Sequence, residues 1–420
     1  MGSLPTRIQI LMYSDMSSEP RVLRQARSLT NSGYEVIGSG VRTNREQKKW
    51  ANLDCIQVRR SIFWDQRLVE FSREALRKVL KTTAAVKSSS SKRMHSSVGN
   101  SRKWDVKGDL RNLLHLAISF LVFFRASFSR NSDLYWVHDP PPAMAAVLVA
   151  KMRKKPLIYE SHEYWAKKNS NRLLSHWIVL KIEKYICKKA DLVIVVNDYI
   201  AICMADDYLI QKPLVILNVP DVEPIEEVNS ESLPLRVLYH GAVEENRGVD
   251  HLVEAIGQAN EQVELLIRGD GTWLNNAKIL VSELDLTDIV RFEPPVDVHL
   301  IVEAASYSHV GVVPFDAASG YEWALPNKVF EYMAAGLVVV ASDFIELRHL
   351  IESTGCGVLV TSGDSTALAK AFDELALDFK KVRKCRNASL TAARTYYIWP
   401  IQSKILLDAV GEVLKYNHGK

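Results

Sequence analysis

Residues 326–343 constrain the fold of this chain more than any other stretch. Their sequence is PNKVFEYMAAGLVVVASD. Pro326 can begin a helix, because the N–H that proline lacks would be unpaired there, and Gly336 can end one in a left-handed conformation. The β-branched run that follows is typical of a strand buried on both faces, as in a parallel sheet. The stretch therefore predicts a helix followed by a parallel strand.

Two charged side chains share one face of this predicted helix. Lys328 and Glu331 lie three positions apart, so their Cβ atoms are about 5–6 Å apart, and Tyr332 lies on the same face. The amino end of a helix favours phosphate. Lys328 is suited to hold a phosphate while Glu331 accepts hydrogen bonds from vicinal hydroxyls, as a ribose diphosphate requires. The alternative is an ordinary solvated ion pair between the two residues.

Length and composition narrow the class of protein. A chain of 420 residues exceeds the usual single core, so two domains are expected. The net charge of +4 is too small to indicate a nucleic-acid partner. Five widely spaced cysteines without a CxxC pair favour a reducing cytoplasm and exclude a zinc ribbon, and the amino terminus lacks the pattern of a signal peptide. Nothing in the composition predicts an oligomeric state.

The first half of the chain reads as a series of strand–helix units. A strand at Ile8–Met12, a helix from Pro20 and a strand in YEVIGSGV form a βαβ unit, which implies a parallel sheet. The first turn lacks GxGxxG, which argues against a nicotinamide or flavin site. Arg21 and Arg24 near the helix start either meet an anion at the sheet edge or are surface arginines.

Two further units place polar side chains just beyond strand ends, where open parallel sheets bind ligands. These side chains are His138, Asp139, His162 and Glu163.

Residues 65–130 differ from the rest of the chain in being basic and partly apolar. Residues 87–103 read as a mobile loop, and Leu113–Phe124 is a mainly apolar run of twelve residues, too short for the about 20 that span a bilayer. The run is either a core helix or an interfacial segment that sinks Leu and Phe among lipids beside cations. We favour membrane contact for the region as a whole.

After a linker at residues 219–234, the strand–helix alternation restarts. Two doubly wound sheets in tandem predict two domains, at residues 1–220 and 221–395, that face each other across a cleft. A last helix within residues 396–420 is expected to pack back on the first domain.

The chain resembles the retaining GT-B glycosyltransferases of family 4 over nearly its whole length. The motifs that carry the resemblance occur in the family's order, and they are SEPRVLRQARSLTNSGYEV, HDPPP, YESHEYW, GAVEENRGVDHLVEAI, IRGDG, FEPPV, VGVVPF and PNKVFEYMAAGLVVVASD. The resemblance implies an α/β GT-B fold of two facing Rossmann-like domains, with the acceptor bound by the first and the nucleotide-sugar donor by the second.

The resemblance also assigns residues to the site. Arg247 matches the basic residue that binds the donor diphosphate, and Glu331 matches the second glutamate of the EX7E motif, which holds the ribose hydroxyls. Val296 sits where main-chain atoms read the base, and Lys328 is common in the PNK-type branch. His162 matches the cleft histidine that lies against the reacting sugar.

Two positions depart from the family's pattern. Trp323 stands eight residues before the second glutamate, where the motif has its first; Glu322 is one position away. Ala242 stands where many members have an arginine. Asp139, assigned with His162 to the catalytic side, and Glu163 are plausible acceptor-side groups.

The resulting expectation is transfer of a sugar, with retention, from a nucleoside-diphosphate sugar to a hydroxyl of a lipid-linked saccharide. Cell-envelope polysaccharide or glycolipid synthesis would be its setting, at the inner face of an anionic membrane, with no metal and no cofactor besides the donor. Two alternatives stay open. They are a nucleotide-sugar 2-epimerase of the same architecture and a catalytically weak membrane scaffold, the latter suggested by the missing first glutamate.

Overall fold

The chain divides into two compact units in the computed structural model, which describes residues 5–13, 19–40, 106–165, 173–225, 232–317 and 321–418. The first unit comprises Met1–Val195, Met204–Leu214 and Leu407–Lys420; the second comprises Val196–Cys203 and Val215–Leu406. The domain ranges expected from the sequence stay a prediction.

Each unit contains a sheet that has six strands among the described residues. The orders are β2-β1-β3-β4-β5-β6 and β12-β11-β10-β7-β8-β9. Neighbouring strands run parallel, as in the pairs β1–β3, β3–β4, β7–β8 and β10–β11. This confirms the expected α/β class with a doubly wound sheet in each half. The strands are β1 (Arg7–Leu11), β2 (Glu35–Ser39), β3 (Leu134–His138), β4 (Leu157–Ser161), β5 (Leu192–Val195), β6 (Leu214–Val215), β7 (Leu235–His240), β8 (Val263–Arg268), β9 (Val290–Glu293), β10 (Val310–Val313), β11 (Val338–Ser342) and β12 (Gly357–Val360).

Helices connect the strands. They are α1 (Pro20–Asn31), α2 (Val106–Phe128), α3 (Pro140–Arg153), α4 (Leu173–Lys189), α5 (Asp198–Tyr208), α6 (Val249–Gln258), α7 (Leu274–Glu283), α8 (Ile301–Ala305), α9 (Asn327–Ala334), α10 (Ile345–Thr354), α11 (Ser365–Leu377), α12 (Phe379–Thr395) and α13 (Trp399–His418). A short 3-10 helix, Val298–Leu300, precedes α8.

Helix α1 forms where the sequence predicts it, with Pro20 as its first residue. Val22, Ala26 and Leu29 are fully buried, because their spacing places them on one face against the sheet. Arg21 is buried as well, with a guanidinium nitrogen 3.5 Å from Glu160 Oε1. The alternative that the arginines of this turn are surface residues is therefore wrong.

Helix α9 and strand β11 also match the prediction from residues 326–343. Pro326 immediately precedes the first helical residue, and Gly336 has the left-handed φ of 63° that ends the helix. Every residue of β11 is buried. Tyr332 departs from the prediction of a polar helix face. The Tyr332 ring is buried against Gly311. A Cβ at position 311 would lie 2.2 Å from this ring, so the glycine leaves the space that the ring occupies in the core.

The apolar run Leu113–Phe124 lies within helix α2. Phe123 is buried, whereas Leu121 is exposed, so the helix combines a core face with an open face. Most of the basic region, including the predicted loop at 87–103, lies outside the described residues. Within the described ranges, no helix has both the length and the apolar character needed to cross a bilayer.

Candidate functional site

In the second unit, loops at the carboxyl ends of β7 and β10 meet the beginning of α9. Lys328 is the second residue of α9, and its side chain is 7% exposed. The Nζ atom lies 3.8 Å from the centre of the Tyr239 ring and 5.6 Å from that of Phe315. Within the part of the chain that the structure describes, this ammonium nitrogen has no hydrogen-bond partner. Lys328 is thus a buried cation that lies against aromatic faces.

The environment of Lys328 opposes its charge. Burial, together with the nearby Arg247 guanidinium, lowers the pKa of the ammonium to about 7, although Glu331 acts in the opposite direction. A buried charge without a hydrogen-bonded partner is unfavourable, so the group favours either proton loss or an incoming anion.

Arg247 lies in the loop between β7 and α6, next to the same aromatic group. Its guanidinium carbon is 4.7 Å from the centre of the Tyr321 ring and 5.4 Å from that of Phe315, and Nη2 donates a 3.1 Å hydrogen bond to the Tyr321 hydroxyl. Arg247 and Lys328 therefore both lie close to the Phe315 ring. The structure brings the two predicted phosphate-binding cations together.

The turn that carries Arg247 depends on a glycine. Gly248 has φ 73°, and a Cβ at this position would lie 1.6 Å from the carbonyl oxygen of Pro314, just after β10. Only glycine permits the two loops to approach this closely.

Glu331, one turn further along α9, is paired with a histidine that the sequence analysis did not identify. The Oε2 atom of Glu331 lies 3.0 Å from Nε2 of His240, the last residue of β7. The imidazole is buried and lies against the Tyr332 ring, with centroids 4.7 Å apart. The alternative of a solvated Lys328–Glu331 ion pair does not describe this arrangement, since Lys328 is buried and Glu331 has His240 at ion-pair distance. The signal for His240 in the sequence was its position as a polar residue at the end of the mainly apolar strand β7.

The other residues assigned to the donor side lie in loops of the same unit. Val296 is half-buried in the loop after β9, and Glu322 and Trp323 are half-buried in the loop that precedes α9. The roles of Val296 and Glu322 stay predictions.

In the first unit, polar side chains gather around the buried carboxylate of Glu160, near the end of β4. Gln25 Nε2, from α1, lies 3.1 Å from Oε1 and 2.9 Å from Oε2, and Trp136 Nε1, from β3, donates to Oε2 at 3.1 Å. Burial works against the charged carboxylate, but the His162 ring beside it and the Arg21 guanidinium lower the pKa of Glu160 below its usual range. The sequence around Glu160 does not indicate a site role, because the partners of this carboxylate come from distant parts of the chain.

His162, the predicted catalytic histidine, lies against this carboxylate. Its Nε2 atom is 3.0 Å from His138 Nδ1 and 3.4 Å from Glu160 Oε1. His138 is fully buried as the last residue of β3 rather than exposed beyond it, and burial lowers its pKa to about 3, so this ring is neutral. His162 is therefore held by a neutral imidazole and a carboxylate.

Asp139 approaches His162 from the adjacent loop. The Oδ1 atom accepts the backbone N–H of His162 at 3.2 Å, and Oδ2 lies 3.7 Å from His162 Nδ1. Asp139 has φ 60° and ψ 160°, a conformation that is strained for a residue with a Cβ. The structure thus brings the two residues assigned to the catalytic side together, whereas Glu163, after β4, is exposed.

His138, Glu160 and His162 are residue types that bind metals, and one ligand atom from each lies within 4.8 Å of the others. Both Glu160 oxygens already have hydrogen-bond donors, and the Arg21 guanidinium lies 3.5 Å from one of them. A neighbouring fixed cation disfavours a second one, so the donor set fits a hydrogen-bonded network better than a metal centre. The expectation that the site uses no metal stays a prediction.

Comparisons with known proteins agree with this architecture. Residues 234–378 match a family model described as glycosyl transferases group 1, and residues 90–223 match one described as glycosyltransferase family 4. The amylovoran biosynthesis glycosyltransferase AmsK of Erwinia amylovora is 31% identical over 143 residues, which are 32% of this chain and 34% of AmsK. The aligned part thus takes in about a third of that relative.

Two solved structures share the fold at low identity. The sucrose-phosphate synthase of Thermosynechococcus elongatus has a TM-score of 0.71 and 16% identity, covering 98% of this chain and 100% of that chain. HepE of Anabaena, in complex with UDP, has a TM-score of 0.64 and 14% identity, covering 97% and 100%. With the two family models on successive parts of the chain, these matches confirm the GT-B fold. Together, the two family models and these solved structures support a GT-B glycosyltransferase similar to family 4.

Proposed function

We propose that the protein transfers a sugar, with retention at the anomeric carbon, from a nucleoside-diphosphate sugar to a hydroxyl of a lipid-linked saccharide. The observation that carries the proposal is the buried ammonium of Lys328, which lacks a hydrogen-bond partner among the described residues and lies with Arg247 beside the Phe315 ring.

A diphosphate would supply what this pair of cations lacks. Two positive groups close together in a low-dielectric environment repel each other, and a dianionic ligand between them reverses the sign of that interaction. Lys328 also stands at the start of α9, where free backbone N–H groups favour phosphate oxygens. This combination supports a nucleoside diphosphate more than a neutral sugar as the ligand.

Glu331 would bind the ribose of the same donor. Its side chain is 18% exposed, and Oε2 lies 3.0 Å from Nε2 of the buried His240. A carboxylate has two acceptor oxygens and can accept hydrogen bonds from both vicinal hydroxyls. The complex of HepE with UDP supports a donor of this class.

The chemistry would rest on stabilising the departing diphosphate. Negative charge develops on it as the glycosidic bond to the donor sugar breaks, and Arg247 and Lys328 are positioned to stabilise that charge without a divalent metal. In this proposal His162 is a polar partner of the reacting sugar, oriented by His138 and Glu160. Asp139 would orient the same ring from its other edge.

The proposed acceptor and location follow from a relative and from the chemistry of the acceptor. The printed name of AmsK places that relative in amylovoran biosynthesis, and by analogy we propose a role in polysaccharide synthesis. A lipid-linked acceptor implies a cytoplasmic enzyme held peripherally at an anionic membrane.

The test is to incubate the purified protein with membranes and a panel of labelled nucleotide sugars, with and without EDTA. Label in the lipid fraction, unaffected by EDTA, is the expected result. A changed free nucleotide sugar without transfer would indicate the 2-epimerase instead, and binding without turnover would indicate a scaffold. Loss of transfer on chelation would contradict the metal-independent mechanism.

A further inference from the structure

Helix α4 of the first unit exposes aromatic and basic side chains in alternation. Trp177 is 57% exposed and Tyr185 43% exposed, and Lys181 and Lys189 occupy the positions four residues after each. Residues at this spacing lie along one side of a helix, so the four form a stripe about 18 Å long. We call these four residues the α4 stripe.

The lysines of the α4 stripe lie over its aromatic rings. Lys181 Nζ is 5.5 Å from the centre of the Trp177 ring, and Lys189 Nζ is 6.0 Å from that of Tyr185. Each pair presents a flat ring and a positive charge at the same surface.

The neighbouring helices continue this surface. Helices α2, α3 and α4 contact one another and form a layer on the sheet of the first unit. Their described parts expose further large apolar side chains, each between 41% and 63% exposed: Leu121, Phe128, Leu148 and Met152. Such a concentration of exposed apolar groups on one layer indicates a contact surface.

The exposed charges among the described side chains of this layer have one sign. In those parts of α2, α3 and α4, the exposed charged residues are all basic: Arg125, Lys151, Lys181, Lys188 and Lys189. The acidic residue among the same described side chains, Glu183, is fully buried, where it accepts hydrogen bonds from Tyr159 and Tyr208. The layer is therefore complementary to an anionic surface.

The residue types distinguish a lipid surface from a protein partner. Lysine is depleted in protein–protein interfaces, whereas Trp, Tyr and Lys together are typical of side chains at the level of lipid head groups. We propose that the layer formed by α2, α3 and α4, with the α4 stripe at its centre, docks on the surface of an anionic bilayer. The rings would sink to the level of the acyl boundary while the lysines stay among the phosphates.

This inference rests on the membrane location proposed above but not on the transfer chemistry. The proposed membrane contact is a surface shared by three helices, and the run Leu113–Phe124 forms only part of it. It also explains why cations and exposed rings coincide on α4, which plays no part in the donor site.

The experiment measures sedimentation of the full chain with vesicles of phosphatidylcholine alone or mixed with phosphatidylglycerol. The wild-type protein should bind the mixed vesicles more tightly, and added salt should weaken that binding. Replacing both lysines of the stripe, as K181Q with K189Q, should lower the affinity for mixed vesicles about thirtyfold, the equivalent of ~1 kcal/mol for each lysine near an anionic surface.

A control variant carries substitutions of the same kinds, an aromatic ring to alanine and a lysine to glutamine, on the second unit. Tyr307 and Lys370 are exposed there, so Y307A with K370Q removes an aromatic ring and a cation far from the layer in sequence, and vesicle binding should stay unchanged. On the stripe itself, W177A with Y185A should weaken binding to both kinds of vesicle. Brominated lipids should quench tryptophan fluorescence in the wild type more than in W177F, which reports ring contact with acyl chains.

Two outcomes would overturn the proposal. One is equal vesicle binding by the wild type and the stripe variants. The other is a wild-type dimer, seen by sedimentation velocity, that the stripe variants dissociate, because the layer would then be a subunit interface. Nucleoside-diphosphate binding, measured on the same samples, should be unchanged in every variant; its absence from the wild type would instead contradict the proposed function.

Discussion

The Nε2 atom of His240 lies 3.0 Å from Oε2 of Glu331, which links the last residue of a buried strand to the exposed end of a helical side chain. The imidazole is 2% exposed and packs against Tyr332, so the core sets its position beside the carboxylate. A preorganised carboxylate loses less conformational freedom on binding hydroxyls than a free one.

The first prediction tests whether this carboxylate binds a ribose. Glu331→Ala should lower the affinity for a nucleoside diphosphate about tenfold to a hundredfold, because hydrogen bonds to charged groups contribute ~1.5–3 kcal/mol. Calorimetry with the 2′,3′-dideoxy nucleotide completes a double-mutant cycle. Removing the hydroxyls should weaken binding to the wild type but not to the variant; an equal loss in both proteins would remove Glu331 from the ribose site.

The second prediction concerns the pH dependence of stability at Lys328. Its pKa in the folded protein is about 7, against 10.5 in the unfolded chain, so between these values the unfolded state binds more protons and stability rises with pH. Lys328→Met should therefore be more stable than the wild type below pH 7, by on the order of 3 kcal/mol, and this difference should shrink towards pH 10. Urea denaturation of both proteins across this range measures it, and a difference independent of pH would show that Lys328 does not titrate as described.

The third prediction separates the charge of Arg247 from its shape. A lysine keeps the charge but cannot stack on Tyr321 and Phe315 while donating to the Tyr321 hydroxyl. Arg247→Lys should lower nucleoside-diphosphate affinity about tenfold, and Arg247→Ala more strongly. Arg291→Lys, at an exposed arginine on β9, is the control and should bind like the wild type. If Arg247→Lys bound normally, charge alone would account for the role of Arg247.

The fourth prediction measures the backbone strain at Asp139. Asp139→Ala and Asp139→Gly both remove the acceptor of the His162 N–H, but only alanine keeps a Cβ at φ 60°. The glycine variant should therefore be more stable than the alanine variant, by about 1–2 kcal/mol, since a left-handed conformation is unfavourable for residues with a Cβ. Thermal unfolding compares them; equal stabilities would mean that the loop relaxes in the alanine variant.

Local signals in the sequence predicted the elements well. Pro326, Gly336 and the β-branched run between Leu337 and Ala341 set the limits of α9 and β11, because a missing N–H, a left-handed turn and a doubly buried strand each depend on few residues.

Contacts between distant residues were beyond sequence reasoning. Periodicity placed Tyr332 with the polar face of its helix, since nothing in that segment reveals that Gly311 on a neighbouring strand leaves room for the ring. His240 and Glu160 were missed for a similar reason. A polar residue in a buried strand acquires its role only from partners such as Glu331 or Gln25, which the fold brings to it from other elements.

The close approach of Gly248 to the Pro314 carbonyl has a mechanical consequence. The gap between Gly248 and the Pro314 carbonyl is too small to hold a methyl group. Neither loop can therefore move towards the other independently. A displacement of Arg247 on one loop would therefore be passed directly to Phe315 on the other, the ring that Lys328 also faces. Arg247, Phe315 and Lys328 would therefore respond to a bound ligand as one stiff unit.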